Sequence, residues 1–553
     1  MIYPKIYRYE EKMNDKPWLL KYDPGVPYRI EYPEISVPDL LLQAATEHGA
    51  DTAIIAGANS LTYGELEVMS STLSAHLVDQ GVKPGEVVGI CLSNSIEFVI
   101  AFFAILKSGA VAAAMNPAFP KRELKFQVES TAMRVVVTCT DKAADFLAIA
   151  DESGQICHMV QSGNGAGLPE SGKVTISRLE EVINNASQEI RFTVILSTQP
   201  AVVQFSGGTT GTPKAALGSH RNLVANAMQF KHWLVNIGEG ETFLVAIPLY
   251  HVYGLVLGLI LGVASHARMV LIEHPGFVDE ILDAIVRYPI RYFPAVPTIF
   301  SRINQHPSVV EGKISLSSIK ACISGSAPLL EAVRREFESN TGGSLVEGYG
   351  LSEAPTATHC NPILGEKRSG SIGLPLPDVM CRIVNMADGV TEVETGEEGE
   401  LWIRGPQVMM GYLNNPKESQ LTLKDGWLRT GDIARIDADG YFYLSGRKKE
   451  LIKVHGMQVW PTEVEEVVNQ HPAVMECAAA GIPDEQSGER VKIWVVLRPG
   501  QDLSLKELGE YCQGKLAGYK IPAQLELRES LPKTGVGKIL RRVLLEEHVQ
   551  HKK

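Results

Sequence analysis

Nine consecutive residues, Ser206-Gly207-Gly208-Thr209-Thr210-Gly211-Thr212-Pro213-Lys214, hold a dense set of anion-binding groups. Their glycines let backbone N–H groups approach an anion closely, and the hydroxyls and the Lys214 ammonium add donors. The loop follows an apolar run, 202–205, that reads as a strand. It is not the common nucleotide loop. No G-x-x-x-x-G-K-[ST] occurs, and Lys214 follows Pro213 instead of opening a helix. A flexible Gly/Thr surface turn is the bland alternative, and the hydroxyl density weighs against it. Thiol and zinc chemistry find no support: Cys91, Cys139, Cys157, Cys322, Cys360, Cys381, Cys477 and Cys512 form no C-x-x-C and have no histidine at finger spacing.

The loop resembles the phosphate loop of the adenylate-forming enzymes, which include acyl-CoA synthetases, peptide-synthetase adenylation domains and luciferases. Further motifs of that superfamily follow in its order. Gly348-Tyr349-Gly350-Leu351-Ser352-Glu353 resembles its Tyr-Gly-x-Thr-Glu motif, with Ser352 keeping the hydroxyl of the commoner Thr. Ser324-Gly325-Ser326-Ala327-Pro328 resembles its adenine-edge loop, with Ser326 in place of a second glycine. Thr430-Gly431-Asp432 and 446–453 match its ribose and hinge motifs, and 532–538 its C-terminal lysine loop. With Leu106-Lys107-Ser108-Gly109-Ala110 near the start, the resemblance spans essentially the whole chain and is greatest to long-chain fatty acid–CoA ligases.

The resemblance implies a role for each position. Ser206, Gly207, Gly208, Thr209, Thr210, Gly211 and Lys214 would cradle phosphates. Gly325, Ser326, Ala327, Pro328, Gly348, Tyr349, Gly350 and Ser352 would hold the base, with Tyr349 stacked on it. Asp432 would accept from the ribose hydroxyls, with Arg447 and Lys453 nearby. Glu353 would bind Mg²⁺, a hard cation suited to an oxygen ligand. His251 would border the carboxylate, Gly456 and Gln458 would serve the CoA step, and Lys449 would be the hinge. Taken alone, Gly456 reads equally well as a simple turn glycine. Joining a carboxylate to the α-phosphate of ATP brings two anions together, so positive charge must stand where charge builds up. Lys538, in a loop between Gly535, Gly537 and a segment 539–547 that reads as helical, is the candidate.

These residues need a scaffold, and the pattern of the chain supplies one. In the first third, short apolar runs at 54–55 and 87–92 alternate with helical periodicity over 63–80 and 95–107. Such alternation implies parallel sheets with crossover helices. The Gly/Ser-rich stretch 154–173 reads as a surface excursion. Between 370 and 443 short strands with Gly/Pro/Asp turns suggest a barrel-like region. The expectation is an α/β protein whose large N-terminal domain, 1–447, holds two βαβ-type subdomains and a distorted β-barrel. A small, mobile α/β domain, 448–553, follows. The apolar stretch 255–262 reads as a buried helix whose start could wall an acyl pocket.

Composition agrees. With 45% hydrophobic and 21% charged residues in 553, the chain is neither disordered nor fibrous. Its net charge of −12 argues against a nucleic-acid binder. The amino-terminal residues mix charges where a signal peptide needs an apolar core, and no apolar run reaches the ~20 residues of a membrane span. A cytoplasmic monomer or homodimer is expected, with peripheral membrane contact left open.

The reading that results is ATP-dependent ligation of a medium- to long-chain fatty acid to coenzyme A through an acyl-adenylate, with Mg²⁺ as cofactor. Two alternatives stay open: an aryl- or alicyclic-acid CoA ligase, and an adenylation enzyme that loads a carrier protein. Ser60, in Gly57-Ala58-Asn59-Ser60, lacks the preceding Asp or His of a phosphopantetheine attachment site.

Overall fold

The computed structural model describes residues 16–163, 172–185, 193–206, 213–484, 486–534 and 537–551. Among these, two large mixed sheets carry the first two thirds of the chain. In one, Pro200–Ser206, Val111–Ala114, Val87–Cys91, Val135–Cys139, His158–Ser162 and Thr175–Arg178 run parallel, and the hairpin strand Lys214–Ser219 folds back on Pro200–Ser206. In the other, Thr52–Ala56, Arg268–Leu271, Thr242–Val245, Ile290–Ala295, Ala321–Ser324 and Ser344–Leu351 are parallel, with antiparallel strands at both edges.

Local sequence explains the elements. Val87–Cys91 is buried at every position, as a parallel strand covered on both faces must be. The helix Tyr63–Asp79 starts at a reciprocal capping box between Thr62 and Glu65, and Val37–His48 at one between Ser36 and Asp39. The helix Ile96–Lys107 is apolar all round because it is sandwiched. It touches Val87–Cys91 and Val111–Ala114 on one side and Thr52–Ala56 on the other, burying Phe98, Phe102 and Phe103 completely.

Three expectations change in detail. The barrel region is a half-barrel: an antiparallel sheet of Met380–Val384, Gly399–Arg404, Trp427–Ile436, Leu423–Lys424 and Phe442–Arg447 that does not close on itself among the described residues. The stretch read as a surface excursion contains the strand His158–Ser162, buried between Val135–Cys139 and Thr175–Arg178. Its polar ends hide an interior strand only five residues long; 164–171 lie outside the described residues. The last helix is Arg541–His551 and not 539–547, because Ile539 is held in a bridge to Lys533.

After Phe442–Arg447 the chain makes a short turn, Lys448–Glu450, and enters a separate sheet. That sheet pairs Met457–Val459, Ile452–Val454, Gly488–Leu497 and Val474–Asp484, with Gln524–Leu527 parallel at the edge. It has its own apolar core around Val464, Val468, Ile493 and Leu508.

Candidate active site

In an open parallel sheet, ligands sit beyond the carboxyl ends of the strands. The cavity here, about 1050 Å³, lies where such ends meet. Gly325 and Ser326 follow the strand Ala321–Ser324, and Gly348, Tyr349 and Gly350 end Ser344–Leu351. His251 opens the helical run 252–264 beyond Thr242–Val245. Arg447 and Lys449 come from the half-barrel's last strand and the turn after it, and Lys538 reaches in from the small sheet's side. Lys214, Ser352 and Glu353 complete the expected residues that line it.

Two backbone features shape the floor. A Cβ on Gly350 would fall 1.7 Å from the Thr356 carbonyl oxygen, so only glycine allows the two strands to close there. Ser326 adopts φ +70°, a left-handed conformation that a second glycine would take without strain. The neighbouring Glu347 carboxyl accepts the Leu329 N–H at 3.1 Å and ties this loop to the next strand. Burial pushes that carboxyl up to about 8.

Charges are arranged across the cavity. The Tyr349 hydroxyl donates to Asp432 Oδ2 at 2.5 Å, and Arg447 Nε lies 2.9 Å from Asp432 Oδ1. Asp432, expected to face the ribose, is therefore buried beneath Tyr349 with both oxygens engaged. Asp432 itself does not line the cavity, although each of its carboxylate oxygens keeps a second acceptor site. Burial and then the positive field of Arg447 push the Lys538 ammonium down to about 8, against the opposing pull of Asp432 and Glu450. The Lys538 loop is tightly closed: Thr534 N donates to the Lys538 carbonyl at 2.8 Å, and Lys538 N donates to Thr534 Oγ1 at 3.1 Å.

His251 is held near pH 4 by burial and by the charge of Lys538, so at neutral pH its ring is uncharged. The Tyr253 N–H donates to His251 Nδ1 at 3.2 Å, which leaves the ring proton on Nε2 as a donor. A neutral imidazole N–H and a lysine ammonium on one cavity can together receive a carboxylate. Val252, Tyr253, Leu257 and Ile323 line the same cavity. The expected buried helix begins here and carries a π turn over Leu255–Ile260, a local irregularity frequent at functional sites.

On the same cavity, the Tyr412 hydroxyl donates to Glu353 Oε1 at 2.8 Å. Lys214 pairs with Glu418 and lies 5.1 Å from the Tyr412 ring centroid. A carboxylate oxygen is a ligand a hard cation takes, so this corner fits Mg²⁺, and Glu353 is the residue that would hold it. Tyr412 and Glu418 escape sequence reasoning, because they stand 59 and 204 residues from the partners they meet.

Some expected residues lie elsewhere. Ala327 and Pro328 adjoin the cavity without lining it. Lys453, Gly456 and Gln458 belong to the hairpin Ile452–Val454 to Met457–Val459, whose exposed turn is made by His455 at φ +51° and Gly456 at φ +79°. Ser206 ends its strand, while Gly207, Gly208, Thr209, Thr210 and Gly211 lie outside the described residues. Ser60 sits on the edge strand Asn59–Thr62 of a hairpin.

Residues 41–413 match the family model of the AMP-binding enzyme, and 463–538 that of the AMP-binding enzyme C-terminal domain. A long-chain-fatty-acid–CoA ligase of Bacillus subtilis (strain 168) is 35% identical over 97% of this chain and 99% of its own. Among solved structures, the anthranilate CoA ligase AuaEII in complex with anthranoyl-AMP superposes with TM-score 0.84 at 27% identity, covering 94% of this chain and 98% of that one. The O-succinylbenzoate coenzyme A synthetase (MenE) of Bacillus subtilis, with ATP and magnesium, gives TM-score 0.80 at 26% identity, over 93% and 100%.

Proposed function

Because this chain belongs to the AMP-binding, adenylate-forming enzymes and is an acid–CoA ligase among them, we propose that its acid is a straight-chain fatty acid of medium to long length. The observation that supports this most is the apolar wall, Val252, Leu257 and Ile323, placed directly beside His251 and Lys538 on one cavity. The full-length similarity to a long-chain-fatty-acid–CoA ligase points the same way.

In this reading, His251 Nε2–H and the Lys538 ammonium orient the carboxylate. Lys538 then offsets the charge that builds as a carboxylate oxygen attacks the α-phosphate and pyrophosphate leaves. Such charge placement in a water-poor site is the largest contribution available to a reaction that needs no covalent enzyme intermediate. Mg²⁺ held by Glu353 would neutralise phosphate charge. Tyr349 and the 325–328 loop position the base, and Asp432 the ribose. For the second half-reaction, the thiol of CoA attacks the acyl carbonyl and AMP leaves. The unit from 448 onward is proposed to turn about Lys449 between the two steps, withdrawing Lys538 and presenting the Gly456 and Gln458 hairpin.

One feature favours a compact acid instead. The Tyr253 hydroxyl donates to the Ile323 carbonyl at 2.8 Å and lies 3.3 Å from that of Ala295, which fixes its ring under Gly325. A Cβ added there would meet the ring at 3.1 Å. The ring therefore limits depth on that side, and an aryl or alicyclic acid is the second reading. AMP release with CoA present, measured across straight-chain, benzoate-like and alicyclic acids, separates them. A kcat/KM for a ring acid far above that of every fatty acid would overturn the first reading. Thioester formed only with a carrier protein, and not with free CoA, would overturn both.

A further inference from the structure

Helix Val37–His48 ends in Glu47 and His48, and the turn before the strand Arg268–Leu271 carries His266. The two imidazole rings lie 4.3 Å apart between centroids, inclined by 38°. One ring nitrogen from each histidine and one carboxylate oxygen of Glu47 all fall within 4.8 Å of one another. None of the three lines the active-site cavity.

Two independent details mark these groups as ligands. His266 Nδ1 is shielded from solvent and has no hydrogen-bond partner among the described residues. A buried polar atom left unpaired is costly, and it needs an explanation such as an ion. Second, His48 Nδ1 lies 3.1 Å from Asp51 Oδ2. That is the carboxylate–imidazole contact that fixes tautomer and ring orientation in metal-binding histidines, leaving the other nitrogen to ligate.

The position is also held in place. His266 takes φ +52°, and the Tyr63 hydroxyl donates to the Ala267 carbonyl at 2.7 Å, which fastens the turn to the helix Tyr63–Asp79.

We propose that Glu47, His48 and His266 form a second metal site, separate from catalysis, for a borderline divalent transition-metal ion such as Zn²⁺. Two imidazoles and one carboxylate, with water completing four-coordination, match zinc, whereas Mg²⁺ takes oxygen donors only. Bound there, the ion ties the end of one helix to a turn more than 200 residues away in sequence and stabilises the fold by mass action.

Full-length protein, stripped with chelator and dialysed, is titrated with ZnCl₂ by calorimetry, and with Co²⁺ followed by its d–d absorption. One ion per chain is expected, with a tetrahedral Co²⁺ spectrum and a melting temperature that rises with Zn²⁺. His48→Gln, Glu47→Gln and His266→Asn (Asn tolerates positive φ) should each weaken binding. Asp51→Asn should weaken it about 10- to 100-fold by misorienting His48. Glu353→Gln, at the active site, should leave the Co²⁺ spectrum in place. No binding by the wild type, or unchanged affinity in folded His266→Asn and His48→Gln, overturns the proposal.

Discussion

Lys538 carries its proton at a disadvantage. Buried beside Arg447, its ammonium loses half its charge near pH 8, well below the ordinary lysine range. If the charged form performs adenylation, kcat/KM for pyrophosphate release is level below pH 8 and falls about tenfold per unit above it. The sign follows from desolvation, which disfavours the cation and not the free amine. Lys538→Arg should move that falling limb to higher pH, since guanidinium stays charged. Lys538→Ala should slow adenylation by about 10²- to 10³-fold or more, the cost of removing one preorganised donor. Given pre-made acyl-adenylate and CoA, the same variant should still form thioester. Equal loss of both half-reactions in a folded variant would count against the role. On the same cavity, Glu353→Gln should lower kcat/KM for MgATP by orders of magnitude with unchanged circular dichroism. Tyr412→Phe removes the 2.8 Å hydrogen bond to Glu353 but keeps the carboxylate, and should cost far less. An unaltered kcat/KM in Glu353→Gln would remove that carboxylate from the site.

At the scale of elements, Arg541 fastens the start of the last helix to the rest of the small domain. Its guanidinium meets Glu465 at 2.7 Å, Glu450 at 3.1 Å and the Ala479 carbonyl at 3.1 Å, with all three side chains at most 15% exposed. Glu450 belongs to the turn Lys448–Glu450, so one side chain joins the turn to the helix that follows the Lys538 loop. Removing one member of a buried ion cluster leaves uncompensated charge, at a cost of about 3–5 kcal/mol. Arg541→Met should therefore destabilise the small domain strongly at pH 8. Burial already pushes Glu465 up, and without Arg541 it is pushed further, so in acid this carboxyl folds uncharged. The loss in melting temperature should shrink at pH 5, and a loss independent of pH would contradict this account.

At the scale of the molecule, Lys538 lines the cavity while the residues of the Gly456 hairpin do not. In the proposed two-position cycle, this would be the adenylating position. Gly456→Leu should let adenylate form but slow thioester formation, because added bulk stands where the CoA arm would pass. A Cβ at Gly456 meets nothing within 4 Å, so the cost to folding is backbone strain at φ +79° alone, about 1–3 kcal/mol. Gly456→Asn, which tolerates that conformation, is the control: it should retain more thioester activity than the leucine variant at equal folding. If both variants keep the wild-type thioester rate, the hairpin does not serve that step. Among the described residues no helix is long and apolar enough to cross a membrane.

How much of this was written in the primary sequence depends on the range of the interaction. Strand–helix alternation and the glycine-bearing motifs are local, so their residues disclosed the α/β class and the order of the site's parts. The short strand His158–Ser162 was not legible, because what makes it a strand is pairing on both sides and not its own composition. Ile539 looked helical by pattern, yet its bridge to Lys533 decided otherwise. In the same way, nothing around Tyr412, Glu418 or Arg541 announces the partners they meet. Motif spelling alone suggested that Asp432 is open to a ribose, whereas folding buries it under Tyr349 and Arg447. The sequence by itself determined which chemistry the chain can perform, since that rests on residue types in short runs. Only the tertiary structure decided how charge is distributed, because a pKa such as that of Lys538 or His251 is set by burial and by neighbours distant in sequence.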